Sequence, residues 1–360
     1  MRIALALIGF GHVGRRFALL LQELKPTLDA RGIEVRIVGI ATGHHGAVFD
    51  RTGLDAPQAA QRVAGGGLVG PGSASLTAHD LIHQLGSLDT EARVMVETTP
   101  LDVQSGEPAI SHIRAAFAAG AHVISANKGP VAHAYRALAA EARAAGLQFL
   151  FEGAVMDGIP IFNLVRETMP GVKISSFRGV VNSTTNHILT AMERGEAFDA
   201  ALARMQAAGV AEADASLDVD GWDAAAKVAA MANVWMDAGI TPRDVEREGI
   251  SAADAPRVLA AVAVGRRVKL VGRATRTNVG VRASVQLETL DVSDPLGSLE
   301  GQANALEIET DILGRVVITQ RDGGLEKTAY ALFVDLIAVA NATSKAVPKR
   351  PQRSFSEGTP

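Results

Sequence analysis

Cysteine is absent from this sequence of 360 residues. Its absence excludes disulfides, thiolate metal sites and any reaction through a covalent thioester or thiohemiacetal, and it fits a reducing, cytoplasmic setting. Aromatic residues are scarce, 4% of the chain, although hydrophobic residues make up 48%; the interior must therefore be built from small side chains packed closely. No charge dominates, with 39 acidic against 35 basic residues and no basic block, so nucleic acid is not an expected partner. No apolar run approaches the roughly 20 residues that span a bilayer. The opening M-R-I-A-L-A-L-I-G-F runs into glycines and Arg15-Arg16 rather than a cleavage site, so it reads as a buried strand and not as a secretory leader. The length suits two domains.

What is present begins with a motif. Ile3 to Ile8 is apolar throughout, as a strand covered on both faces must be, and G-F-G-H-V-G follows with Gly9, Gly11 and Gly14. A helix is expected from Arg15 to Leu28 and a second strand from Glu34 to Ala41. In this setting the first glycine permits a tight turn, the second lets backbone approach a pyrophosphate, and the third lets helix and strand touch, with the free N–H groups of the helix start, beyond His12 and Val13, facing the phosphates. The motif therefore points to a dinucleotide. The acid that would bind the ribose 2′-hydroxyl of NAD is missing: the second strand ends Ala41-Thr42-Gly43-His44-His45. NADP is thus as admissible as NAD, and His44, His45 or Arg51 either attract a 2′-phosphate or are solvated loop residues.

Strand and helix alternate up to about residue 150. Residues 62–75 are glycine-rich and read as a mobile loop. Strands are expected at Arg93–Glu97, His122–Ala126 and Leu147–Phe151, and helices at Ser111–Ala119 and His133–Ala145. The strands end in Thr98-Thr99-Pro100, Asn127-Lys128 and Glu152-Gly153, at the edge where doubly wound sheets bind ligands, which makes Lys128 and Glu152 candidate site residues.

The pattern then changes. Ile159–Met169 reads as a helix, Val172–Val181 as a strand, and Asn182-Ser183-Thr184-Thr185 leads into a helix at Asn186–Glu193, suited to capping and to a polar substrate. Five acids, Glu212, Asp214, Asp218, Asp220 and Asp223, fall within twelve residues. Their spacing fits neither an EF-hand nor a zinc site. Asp220 and Asp223 resemble a capping box, and Asp223 shares a helix face with Lys227, which stands alone among alanine, valine and methionine. Lys227 either snorkels to water or is desolvated, with a lowered pKa that allows proton transfer near neutrality.

Taken together, G-F-G-H-V-G, Asn127-Lys128, E-G-A-V-M-D-G-I-P-I from Glu152, G-V-V-N-S-T-T-N-H-I-L-T from Gly179 and A-E-A-D-A-S-L-D-V-D-G-W-D-A-A-A-K from Ala211 resemble the homoserine dehydrogenases. The likeness covers most of residues 1–235 and returns around Arg321 to Ala340. It implies an α/β fold: a Rossmann-type doubly wound parallel sheet over residues 1–150, joined by the C-terminal helix 322–343, and an α+β substrate-binding and dimerisation domain over 151–321. It further implies NAD(P)-dependent interconversion of L-homoserine and L-aspartate 4-semialdehyde on the route to threonine, methionine and isoleucine, by a homodimer of the short form without a regulatory domain. In that likeness Lys227 is the catalytic lysine, Lys128 a second active-site lysine, and Asp218 an essential acid that would hold the lysine charged and placed. Glu212 would bind the substrate's amino end, with Asp223, Asn182 and Thr184 beside it. Gly9, Gly11, His12, Val13, Gly14, Thr98, Thr99, Lys128, Gly324 and Thr328 would contact the cofactor. Glu152, with the backbone of Val155, Asp157 and Ile159, would hold sodium or potassium. The chain departs from the family pattern at Ser183 and Asp322, often glycines, and at Ala215, usually proline. A phosphorylating semialdehyde dehydrogenase is ruled out by the missing cysteine; a non-catalytic dinucleotide sensor is the alternative, which the retention of Lys128, Asp218 and Lys227 opposes.

The C-terminal third adds a helix at Gly249–Leu259, strands within Arg266–Leu290 and Ala305–Thr319, and a helix at Glu326–Ala340. Residues 344–360, with proline, basic residues and no periodicity, read as a disordered tail.

Overall fold

The apolar run at the start forms β1 (Arg2–Ile8), buried on both faces from Ile3 onward. The computed structural model describes residues 1–70, 76–207 and 214–346. After β1 come α1 (His12–Glu23), α2 (Lys25–Ala30), β2 (Glu34–Ala41), β3 (Ala47–Phe49), α3 (Ala56–Ala64), α4 (Ala78–Gly86), β4 (Ala92–Glu97), α5 (Ala109–Ala118), β5 (His122–Ser125), α6 (Gly129–Ala144) and β6 (Phe149–Leu150). The strands form one sheet in the order β3-β2-β1-β4-β5-β6, parallel except for β3. The chain reverses direction across the sheet between β1 and β4, and a crevice opens outside their carboxyl ends.

The remaining elements are α7 (Ile161–Thr168), β7 (Ile174–Val180), α8 (Ser183–Glu193), α9 (Phe198–Ala207), α10 (Ser216–Val219), α11 (Trp222–Met236), β8 (Glu246–Arg247), α12 (Ala255–Ala263), β9 (Arg266–Thr277), β10 (Gly280–Asp291), β11 (Asn304–Thr310), β12 (Gly314–Gln320) and α13 (Leu325–Ala346). A second sheet runs β12-β11-β7-β9-β10-β8 and is antiparallel apart from the β10–β8 pair. Alanine, the best helix former, makes up much of α11, and its small side chains let the helix lie close on this sheet. The approach is so close that a Cβ on Gly272 of β9 would stand 2.6 Å from Val228 of α11.

Two large apolar clusters result. One joins α4, α5 and α6 under the first sheet to α8, α11 and α12 on the second, through Leu81, Ile113, Leu138, Ile188 and Val228. The other lies on the opposite face of the first sheet, where Phe17 and Leu21 of α1 meet Leu332, Phe333 and Leu336 of α13. Helix α13 thus covers the exposed flank of α1.

Several boundaries differ from those expected. The first helix starts at His12 and breaks after Glu23. The polar run 182–185 is not a lead-in: Asn182 is the cap, accepting from the Thr185 N–H, and α8 starts at Ser183. The Asp220–Asp223 capping box does not form. Gly221 occupies the cap of α11 with φ +78 and no side-chain bond, which frees Asp223 for other partners. Helix α3 covers the first residues of the glycine-rich stretch, whose positions 71–75 lie outside the described residues. Helix α13 runs to Ala346, past the expected start of the tail; positions 347–360 lie outside the described residues. Among the described residues no helix is long and apolar enough to cross a membrane.

Candidate active site

The glycine motif makes a cradle at the end of β1. Gly9 has φ +89, and a Cβ there would sit 2.5 Å from the carbonyl carbon of Thr98. A Cβ on Gly14 would sit 2.7 Å from the Gly9 oxygen, whereas at Gly11 it would meet nothing within 4 Å and project into open space. Gly11 caps α1 without any side-chain bond, so the first N–H groups of that helix are free for an anion. Thr98 locks the turn: its N–H donates to the Ile8 oxygen at 2.8 Å and its hydroxyl to the Gly9 oxygen at 2.7 Å. His12 is exposed and Val13 half-buried. A cleft of about 650 Å³ opens here, lined by Gly9, Gly11, Arg15, Thr42, His45 and Thr99 among others. These features fit a dinucleotide pyrophosphate. His44 also lines the cleft, and Arg51 does not: its guanidinium reaches Ser87 Oγ at 3.5 Å. Gly14→Ala forces a methyl against the Gly9 carbonyl, an overpacking of about 1–3 kcal/mol. It is expected to weaken NADH binding roughly tenfold in a fluorescence titration while the rest of the fold persists.

Lys128, at the cap of α6, and Lys227, in α11, meet at one carboxylate. Asp223 Oδ1 lies 3.0 Å from Lys128 Nζ, and its Oδ2 lies 2.8 Å from Lys227 Nζ. Lys227 also donates to the Val181 carbonyl at 2.7 Å. Asn182 uses one amide nitrogen to donate to both Asp218 Oδ1, at 2.6 Å, and Asp223 Oδ2, at 2.8 Å. Its other role, as the cap of α8, fixes that amide in place. Burial pushes the Asp223 carboxyl up, but Lys128 and Lys227 outweigh it and hold the group well below the usual carboxylate range. Burial and the neighbouring Asp223 raise the Asp218 carboxyl, against the bonds from Asn182 and Thr184.

Two expectations change here. The lysine is not lowered in pKa. Burial alone would lower it, yet Asp223 first, then Asp157 and Asp218, outweigh burial and raise it, so Lys227 is a charged acid in the free protein. The direct counter-charge is Asp223 rather than Asp218. Glu212 lies outside the described residues.

The two halves of the site are wired together. From the Gly9 carbonyl the path runs through Thr98 to Thr99, whose carbonyl accepts from Asn127 Nδ2 at 3.1 Å. Asn127 Oδ1 takes the Gly129 N–H at the start of α6, and Lys128 between them reaches Asp223. Lys227, with a side chain only 16% exposed, is therefore held away from open solvent and tied to the glycine turn through this bonded path.

Beyond it, Glu152 is buried and receives the Phe162 and Asn163 N–H groups at 2.8 and 2.6 Å, capping α7. Its own N–H donates to Asp335 Oδ2, from α13. Burial and Asp335 push Glu152 up to about 7, and burial pushes Asp335 up to about 6. Among the described residues neither carboxyl makes an ion pair, and no cluster of three His, Cys, Asp or Glu could hold a metal. Val155 is buried, Met156 and Asp157 have φ of 55 and 53, and the Ile159 carbonyl already accepts from Ile161. Asp157 clamps the C-terminal turn: it accepts from the Gly324 N–H at 2.9 Å and the Thr328 hydroxyl at 3.4 Å. Asp335, the one acid of α13 beyond its first turn, and Asn127 as a bridge went unread in the sequence; only the apolar surroundings of Asp335 offered a signal.

Comparison with known proteins agrees with this geometry. A family model described as the homoserine dehydrogenase NAD-binding domain matches residues 9–152, and one described as homoserine dehydrogenase matches residues 160–337. The chain is 36% identical to an NAD(+)-dependent homoserine dehydrogenase of Pseudomonas canavaninivorans, over 95% of this chain and 97% of that one. The chain belongs to the homoserine dehydrogenase family. It is also 35% identical to the homoserine dehydrogenase of Methanocaldococcus jannaschii, over 94% of this chain and 99% of that one. A hyperthermophilic archaeal homoserine dehydrogenase solved in complex with NADPH superposes with a TM-score of 0.78 at 29% identity, over 95% of this chain and 98% of the other. As a member of the homoserine dehydrogenase family the chain is an NAD(P)-dependent oxidoreductase, which gives the paired lysines a chemical setting.

Proposed function

We propose that the site interconverts L-homoserine and L-aspartate 4-semialdehyde, as a homodimer joined through the second sheet, on the route to threonine, methionine and isoleucine. The observation that carries this reading is the pair of lysines sharing one largely buried carboxylate, linked by hydrogen bonds through Asn127 and Thr99 to the glycine cradle. When bound, NAD or NADP accepts the hydride from the alcohol carbon or returns it to the aldehyde. Relatives that use NAD(+) and that bind NADPH support both cofactors. Alignment of two held reactants removes ~7–11 kcal/mol of barrier. Lys227 donates a proton to the new alkoxide in the reducing direction, contributing ~10²–10⁴-fold. An ammonium has three N–H groups; Asp223 and Val181 take two, leaving one for the substrate oxygen. Lys128 orients the carbonyl or the substrate carboxylate. Asp218, Asn182 and Thr184 line the amino-acid pocket, and Glu212 pairs with the ammonium. Sodium or potassium, held by Glu152 with backbone oxygens of Val155, Asp157 and Ile159, fits the lack of an ion-pair partner for Glu152 and Asp335 among the described residues; it would steady the loop that carries Asp157.

Initial rates of homoserine oxidation with NAD and with NADP, followed by absorbance of the reduced cofactor, test the reading; no turnover with either would refute it. The pH profile gives a second test. Oxidation needs Lys227 without its extra proton, and its pKa is raised, so oxidation is expected to climb with pH into the alkaline range. Reduction needs the protonated form and is expected to hold across neutral pH and fall only on the alkaline side. An oxidation rate that is already maximal at neutral pH contradicts the assignment.

A further inference from the structure

Glu97, the last residue of β4, is fully buried and takes no part in the proposed proton transfer. Three donors converge on it. Its Oε1 accepts from the Thr99 N–H at 2.7 Å and from the Thr99 hydroxyl, and its Oε2 lies 2.9 Å from Nδ1 of His112 on α5. Because the carboxylate acts as acceptor, the ring proton of a neutral His112 belongs on Nδ1. Nε2 is then left as a bare acceptor, and no described residue bonds to it; the other ring contact is His79, edge-on at 5.3 Å. His112 is only 6% exposed, yet it lines the dinucleotide cleft together with Thr99, Pro108 and Ala78. With the Nδ1 edge turned to Glu97, the Nε2 edge is the part of the ring left for the cleft.

The same cleft is short of an acceptor. Folds of this kind place the adenosine ribose at the end of the second strand, where an acid receives a hydroxyl proton. Here Thr42, Gly43, His44 and His45 line that end, and no carboxylate does. Resting on the dinucleotide reading above, we propose that His112 is a cofactor-binding residue: Glu97 fixes its tautomer so that Nε2 accepts a hydrogen bond from a ribose hydroxyl of bound NAD(P). Glu97 is then a positioning residue. Through Thr99 and Asn127 it also stands on the bonded path to Lys128.

The test compares two substitutions in the full chain by fluorescence titration with NADH and NADPH, with thermal melting alongside. An asparagine amide reaches about as far as Nδ1, so His112→Asn keeps Glu97 partnered and removes the acceptor in the cleft. A glutamine amide reaches about as far as Nε2. His112→Asn is expected to weaken binding of the preferred cofactor roughly 5–10-fold, the value of one hydrogen bond, and His112→Gln to restore most of that loss. Affinity unchanged in His112→Asn, or weakened equally in both variants, overturns the proposal and leaves His112 a packing residue. Should His112→Asn melt far below the parent, Glu97→Gln decides. Its amide donates to Nδ1 and moves the ring proton to Nε2, so a comparable weakening is expected, and unchanged affinity overturns the proposal. Failure of the unmodified protein to bind either dinucleotide would instead sink the dinucleotide reading itself.

Discussion

Lys227→Ala is expected to bind NADH as the parent does and to turn over homoserine roughly a hundredfold more slowly or worse. The side chain supplies the ammonium that meets Asp223 and the Val181 carbonyl, and alanine cannot replace it. The substitution suits the helix, whose neighbours at this point are Ala224, Ala225, Ala226 and Val228, all buried. Because the substitution also removes one partner of the Asp223 ion pair, thermal melting alongside separates loss of rate from loss of fold. The nucleotide cradle is built from Gly9, Gly14 and Thr98, none of which touches Lys227 directly, so the binding constant for NADH should be preserved. Steady-state rates and a binding titration on the same preparation check both halves. Near-normal turnover would remove Lys227 from the chemistry and leave Lys128 as the donor.

Asp223→Asn should be as damaging to rate and should also move the pH profile. Both lysines use this carboxylate as counter-charge, one on each oxygen. An amide is neutral and offers one acceptor, so Lys128 and Lys227 would face each other across a site with too little negative charge. Removing one partner of a buried ion pair costs about 3–5 kcal/mol, so a lower melting temperature is expected as well. The sign of the pH effect follows from the cause of the shift. Asp223 is the largest contribution raising the Lys227 pKa; without it, burial lowers that pKa. The base form then becomes available at lower pH, and the rising limb of homoserine oxidation should shift toward acid while its plateau drops by on the order of a hundredfold. A variant with the parent's rising limb would show that Lys227 is not the titrating group.

The alternation of strands and helices up to Phe151 was legible because an apolar run ended by glycine has few other uses, and the glycine spacing placed the cofactor cleft with it. The lysines were legible as candidates for different reasons: Lys128 ends a strand, and Lys227 interrupts a run of small apolar residues. What could not be read was the order of contacts. Spacing put Asp223 on one helix face with Lys227 but also paired it with Asp220 in a capping box; Gly221, by taking the cap with a left-handed backbone, leaves Asp223 to the lysines and to Asn182, which also bonds Asp218. The direction of the Lys227 shift was likewise beyond reach, because it depends on the balance between burial and a carboxylate at 2.8 Å. Glu97 and Asp335 bond to groups 15 and 183 residues away, a separation no local pattern encodes.

The pairing of α1 with α13 also bears on how the protein is made. Residues 12–23 are synthesised well before residues 325–346, which supply the surface that covers Phe17 and Leu21. Chains usually fold domain by domain as they leave the ribosome; here the first sheet must wait, with one greasy flank bare, until residues 325–346 have been synthesised. A nascent chain halted anywhere before Leu336 should thus be a customer for chaperones rather than a partly active enzyme.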